Sequence, residues 1–121
     1  MQRSYFTMAE KIFYEGIKSP FNFEIFHSQN EKRYAESLDS DNNVVAWTKA
    51  HNIMIRYRNK RGIIARYYPD FLIRWKDQTE LELVEIKGSH LNHDPNVELK
   101  KKAAEDWCLQ RGMKYRKIVS G

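Results

Sequence analysis

The sequence predicts an α/β domain built around a mixed sheet, and three observations lead there. Segments 66–75 and 81–87 are rich in aromatic and branched residues, lie side by side in the chain and read as paired strands. Two other segments, opening at Ser28 and at Asp94, begin with helix-capping residues and carry apolar positions at helical spacing. A length of 121 residues suits one domain that can bury a core without covalent staples.

Residues 1–20 end at Ser19-Pro20, a turn signal, and Ala9–Ile17 reads as a short helix or as an arm reaching toward a partner. Phe21–Phe26 alternates well enough for a strand. Ser28 and Glu31 have capping-box spacing, and Tyr34, Ala35 and Leu38 form the apolar stripe of the helix that follows. That helix should stop before residues 39–43, a cluster of turn formers. Val44–Trp47 is a short apolar run leading into a strand over 53–58, and Asn59-Lys60-Arg61-Gly62 turns the chain. The strands over 66–75 and 81–87 are joined by Lys76–Thr79 as a hairpin, and Gly88 ends the second. Asp94-Pro95 places an N-cap before a proline at the first helical position. The helix runs to about Gln110, turns Leu99, Ala103, Ala104, Trp107 and Cys108 inward, and ends at Gly112. Residues 114–119 make the last strand. The core order is α-β-β-β-α-β, a central mixed β-sheet flanked by helices, over residues 28–121, with residues 1–27 an N-terminal extension of unassigned structure. Trp47, Trp75 and Trp107 are expected core anchors.

Hydrophobic residues at 41% and charged residues at 31% fit a globular chain and argue against disorder. Lys and Arg exceed Asp and Glu by 21 to 16, a net charge of +5. That excess is compatible with a polyanionic partner, and equally with a solvated basic surface. Cys108 is the single cysteine, which excludes an internal disulfide and a thiolate zinc site and points to a reducing, cytoplasmic setting. Charges interrupt the N-terminus before any signal-like apolar region, and no run approaches the roughly 20 apolar residues of a membrane span, so a soluble protein with no membrane partner is expected.

The chemistry is concentrated in Asp70, Glu85 and Lys87. Glu85 and Lys87 are two apart on a strand and face the same way, and pairing of the two strands brings Asp70 within reach. Carboxylates converging on one point repel unless a cation lies between them, and hard oxygen ligands favour Mg²⁺ or Mn²⁺. An adjacent ammonium orients water or offsets charge developing on a phosphate. Each residue also has an ordinary reading: Asp70 as a strand-end hydrogen-bond acceptor, Glu85 and Lys87 as a solvated strand face like that of Glu82. Leu81 and Leu83 share the face of Glu85, however, so its carboxylate should be partly enclosed and in need of a partner. Together the three residues favour a metal site, present or ancestral.

Tyr68-Pro69-Asp70-Phe71 followed by Glu85-Ile86-Lys87-Gly88 resembles the PD…ExK signature of restriction-endonuclease-like, PD-(D/E)XK nucleases. Glu31–Ala35 and Val45–Lys49 are similar to the E..FA…V..W.K stretch of the nuclease domain in type III restriction helicase subunits; the endonuclease subunits of some heteromeric transposases share this layout. The resemblance covers about residues 28–118. It implies a restriction-endonuclease-like core, Asp70 and Glu85 as metal ligands with the backbone carbonyl of Ile86, Lys87 as the water- or phosphate-directed lysine, Glu31 as an acidic residue lent by the first helix, and duplex DNA as substrate. Glu31 keeps its rival role in the capping box.

Arg56, Arg58, Arg61 and Arg66 surround a turn and are candidates for gripping phosphates; Lys100 is a candidate beside the groove. The Lys100–Lys102 run also reads as a solvated helix face, with Lys102 paired to Glu98. His90 and His93, after the 81–87 strand, are weak candidates for DNA or metal contact. The expected activity is that of a metal-dependent endodeoxyribonuclease in a restriction or other DNA-processing system. A helicase, a recognition subunit, a second copy or a larger protein of which this chain is a piece would supply specificity. A junction resolvase, a transposase endonuclease subunit, RNA cleavage and an inactive DNA-binding or assembly module are the alternatives.

Overall fold

Pro69 interrupts what the sequence presents as one strand over 66–75. Proline supplies no ladder N–H, and the computed structural model, which describes residues 5–8, 11–88 and 94–120, divides the segment there. Ile64–Tyr67 (β6) pairs antiparallel with Ile55–Arg58 (β5) as a separate two-stranded ribbon. Phe71–Trp75 (β7) joins a four-stranded sheet with Val44–Thr48 (β4), Glu82–Gly88 (β8) and Lys114–Ser120 (β9), in the order β4-β7-β8-β9. The first two pairings are antiparallel and β8–β9 is parallel, so the sheet is mixed. With the helices Gln29–Ser40 (α1) and Pro95–Gln110 (α2), the core reads α1-β4-β7-β8-α2-β9. The expected α-β-β-β-α-β order therefore holds, with one substitution. Its first strand is the run at 44–48, and the strand expected over 53–58 lies in the inserted ribbon.

Both helices begin where the capping residues put them. Ser28 Oγ accepts from Glu31 N at 3.2 Å, and Asp94 Oδ1 accepts from Asn96 N at 2.9 Å, with Pro95 at the first helical position. Helix α1 continues through Asp39 and Ser40, past its expected end. On α2, Val97, Ala104 and Cys108 are buried, Ala103 and Trp107 partly so, and Leu99 faces outward, contrary to expectation. Glu98 pairs with Lys117 and Lys102 with Asp106, in place of the expected Lys102–Glu98 pair.

The sheet carries a core on each face. On one side, Trp47, Phe71, Ile73 and Val84 meet Ala35 and Leu38 of α1. On the other, Leu83 meets Ala104 and Cys108 of α2 together with Ile55 and Tyr67 of the ribbon. The alternation of Leu83, Val84 and Glu85 along β8 assigns each to its face.

The N-terminal segment is a strand where a helix was one expectation. Lys11–Tyr14 (β2) lies between Tyr5–Met8 (β1) and Glu24–Phe26 (β3) in an antiparallel three-stranded sheet. Ile12, Tyr14 and Phe26 enter the α1-side core. Asp39 ties that segment down: its buried carboxylate accepts from Tyr14 OH, the backbone amides of Ile17 and Lys18, and Trp47 Nε1, at 2.8–3.0 Å. Burial opposes its ionisation, but these donors, Trp47 foremost, hold the carboxyl below the usual carboxylate range. A depressed folded pKa stabilises above the ordinary carboxylate pKa, and that stabilisation is lost as pH falls through the folded value. Asp39→Ala should cost about 3 kcal/mol near pH 7. Urea unfolding at pH 7 and pH 3 checks this, and the difference from wild type should narrow at the lower pH.

Candidate active site

The β7–β8 ladder stops at the pair Phe71↔Val84, one residue short of Asp70. Asp70 then takes over with its side chain: Oδ2 accepts from Ile86 N at 2.7 Å, continuing the ladder by one rung. Since a strand residue's N–H and C=O project to the same side, the Ile86 carbonyl faces this edge too. Asp70 is therefore fixed at the end of the strand pair and not in mid-strand, as the sequence suggested.

The groups around Asp70 form two halves. On the α1 side, Lys49 follows the end of β4, with Nζ 3.0 Å from Glu31 Oε1 and 3.4 Å from Asp70 Oδ1. Glu31 Oε1 also accepts from His27 N at 3.2 Å, so Glu31 both supports its helix start and faces the site. On the α2 side, Glu85 and Lys87 share one face of β8, with Lys87 Nζ 3.2 Å from Glu85 Oε2. The sequence-derived quartet Glu31, Asp70, Glu85 and Lys87 thus gathers at one end of the sheet.

Burial raises the Asp70 pKa; Lys49 pulls it down and Glu31 pushes it up again. Glu85 is buried and pushed up to about 7, by desolvation first and by the charge of Asp70 second, against the opposing pulls of Lys87 and of the Tyr67 hydroxyl. Its Oε1 is enclosed and accepts no hydrogen bond among the described residues. An acceptor-only oxygen left this way is costly unless a cation or proton meets it, so Glu85 is fitted to take up a proton or a hard divalent ion. Glu82, on the other face, differs: Trp75 Nε1 at 2.9 Å and Arg116 at 3.1 Å occupy its carboxylate. Among the described residues, no three His, Cys, Asp or Glu side chains already converge as a ready-made cage. Glu31 and Asp70 instead close on Lys49, and Glu85 closes on Lys87.

A cleft of about 580 Å³ opens over the α1-side half, lined by Glu24, His27, Glu31, Lys49, His51 and Asp70, with Phe23 and Tyr68 among its other walls. Among these, Lys49, Glu24 and His51 were not candidates in the sequence. Lys49 lies in the quoted W.K stretch, but nothing in the sequence says that it meets Asp70. Glu24 is fully buried and accepts from Ser19 Oγ, from Thr48 Oγ1 at 2.9 Å and from Lys49 N at 2.9 Å, which fixes the backbone of Lys49. His51 Nδ1 accepts from Ile53 N at 2.9 Å, so Nε2 is the protonated nitrogen and donates to Pro69 O at 2.6 Å. Burial lowers the His51 pKa and favours this neutral form.

Of the remaining candidates, the arginines lie on the ribbon and Lys100 lies beside Glu85 and Lys87. Arg56, Arg58 and Arg66 stand exposed on the outer face of the ribbon, and Arg61 is at its turn. Lys100 is half-buried, its ammonium 5.6 and 6.0 Å from the ring centroids of Tyr67 and Tyr57, in a narrow gap shared with Glu85 and Lys87. His90 and His93 lie outside the described residues.

The family model described as the TnsA-like endonuclease N-terminal domain matches residues 41–120. The chain belongs to this family. Its fold is accordingly restriction-endonuclease-like, and a nuclease-related role comes with it. The matched span of this TnsA-like domain includes Lys49, Asp70, Glu85 and Lys87, and Glu31 precedes it. No curated protein matches the chain. No helix among the described residues is long and apolar enough to cross a membrane.

Since His51 pins the carbonyl just before Asp70, His51→Ala should destabilise the TnsA-like domain by about 1–3 kcal/mol. It should also speed amide exchange at Ile53 and at 70–72 ahead of the sheet centre. Hydrogen exchange read by mass spectrometry checks this, and uniform exchange across the core would contradict it.

Proposed function

We propose that this chain is a metal-dependent endonuclease that hydrolyses DNA phosphodiester bonds, with Asp70, Glu85, the Ile86 carbonyl and Glu31 as the residues that would hold Mg²⁺ or Mn²⁺. The observation that supports this best is the buried Glu85 Oε1, which lacks a partner among the described residues, on a carboxyl close enough to Asp70 to feel its charge at the open end of the β7–β8 pair. When bound, the cation supplies Lewis acidity, making water a better nucleophile and offsetting phosphate charge. The protein's own part is orientation. Asp70 is immobilised by the Ile86 amide, Glu85 is held in a partly dehydrated setting, and Lys87 Nζ, beside Glu85, donates hydrogen bonds to the attacking water or to a phosphate oxygen.

The ribbon supports DNA as substrate. Arg56 and Arg66 are directly opposed across β5 and β6, and neither has an ion-pair partner among the described residues. Opposed like charges destabilise a strand pair, so a polyanion lying on this face relieves a repulsion that the fold otherwise carries. Arg58 and Arg61 extend the same surface. Lys100, held against two tyrosine rings, adds positive charge behind Glu85.

The family match favours a transposase-type endonuclease subunit as the setting. The restriction setting rests on the sequence resemblance to type III subunits. A cytoplasmic location suits the single, buried thiol of Cys108.

Supercoiled plasmid incubated with Mg²⁺ or Mn²⁺ tests the assignment. Wild type should nick or linearise it, and Asp70→Ala and Lys87→Ala should each lose activity by about 100-fold or more. Cleavage surviving both substitutions would overturn the site. For the ribbon, Arg56→Ala with Arg66→Ala should weaken DNA binding and reduce the magnitude of the salt slope by about 2. Fluorescence anisotropy between 50 and 200 mM salt (about that range) is the measurement, and an unchanged slope would remove these arginines from the interface.

A further inference from the structure

Asp70 has two carboxylate oxygens with different duties. Oδ2 accepts the Ile86 amide and completes the strand ladder. Oδ1 is the oxygen left for the cleft, and Lys49 Nζ holds it at 3.4 Å. The same ammonium lies 3.0 Å from Glu31 Oε1, so one lysine spans both acidic groups on this side of the site. All three side chains are enclosed to a similar degree, each 13% exposed. Lys49 does not reach this position by a loose swing. Its backbone amide is bonded to the buried Glu24, and its ammonium lies 5.5 Å from the Phe71 ring centroid. Lys87 already serves Glu85, so the two lysines divide the carboxylates between them.

We propose that Lys49 is a positioning residue acting as an internal counter-ion: its ammonium and a divalent cation compete for Asp70 Oδ1 and Glu31 Oε1, so that cation loading must displace Lys49 from both. The inference rests on the metal-binding reading of Glu31 and Asp70. Two positive charges cannot share that enclosed pair of oxygens without strong mutual repulsion. Without the cation, Lys49 keeps two carboxylates from facing each other uncompensated. With it, the lysine is released into the cleft.

Calorimetric titration of Mn²⁺ into the whole chain near pH 8, without DNA, tests this on wild type, Lys49→Met and Lys49→Arg, with Asp70→Ala as control. Lys49→Met removes the competing charge at nearly constant volume and should bind Mn²⁺ about tenfold more tightly than wild type. Lys49→Arg presents a planar fork that grips carboxylates better and should bind Mn²⁺ more weakly than wild type. A role in merely shaping the fold would weaken binding in both variants. Thermal melts add a second reading: free of cation, Lys49→Met should melt below wild type, and Mn²⁺ should raise its Tm by more. If wild type binds Mn²⁺ and Lys49→Met binds no more tightly, the inference is overturned. If Lys49→Met does not fold, Lys49→Arg decides, and affinity equal to or above that of wild type overturns it. If wild type binds no Mn²⁺, the metal-binding reading itself falls and this inference falls with it.

Discussion

One hydrogen bond, from the Ile86 amide to Asp70 Oδ2, settles how this fold presents its chemistry. A strand pair that ends leaves backbone donors without ladder partners, and these need acceptors if they are not to be stranded. Here the acceptor is a carboxylate from the residue just before β7. The same group therefore finishes the sheet and stands in the cleft. Its geometry inherits the rigidity of the ladder beneath it, where Phe71, Ile73, Leu83 and Val84 are fully buried. Pro69 contributes by ending β6 one step earlier, and His51 holds the Pro69 carbonyl. Asp70 is thus constrained from both directions along the chain.

Charge around Asp70 is interleaved. Glu31 and Lys49 lie toward α1, Glu85 and Lys87 toward α2, and each carboxylate has a lysine within ion-pair distance. The compensation is incomplete, since Glu85 remains pushed up to about 7 and one of its oxygens is buried without a partner among the described residues. Buried carboxylates that serve stability alone are usually satisfied by hydrogen-bond donors, as Asp39 illustrates. The contrast within one molecule is between a carboxylate that fastens the fold and one that keeps a buried oxygen unsatisfied among the described residues.

The sequence reveals some of this and hides the rest for physical reasons. Helix starts were legible because capping is local: Ser28 and Asp94 act on amides two or three residues away. The common face of Glu85 and Lys87 follows from strand alternation alone. The division at Pro69 was less legible, because aromatic and branched residues continue on both sides of it. That one segment belongs to two sheets is a matter of tertiary pairing. Lys49 and His51 were missed for the same reason, since their partners Asp70 and Pro69 are 21 and 18 residues away. Before residue 27, β3 falls within the alternating run 21–26, whereas β2, only 4 residues long, offered little signal. Glu24 reads from the sequence as an ordinary strand polar residue, and only folding reveals that it is fully buried.

The ribbon of β5 and β6 is constrained unequally along its length. At its root, Ile55 and Tyr67 are buried against α2 and continue directly into the segments that hold His51 and Asp70. At its tip, the turn closes on itself: Gly62 N bonds Asn59 O, Asn59 Oδ1 accepts from Arg61 and Ile63, and the Lys60 amide reaches Asn96. The α-β-β-β-α-β core is complete without the ribbon. Insertions at the tip would therefore alter how far the arginine face extends while leaving the root, and the carboxylates beside it, in place. In a lineage built on this plan, the reach of the ribbon and the arrangement of the carboxylates are free to diverge at different rates.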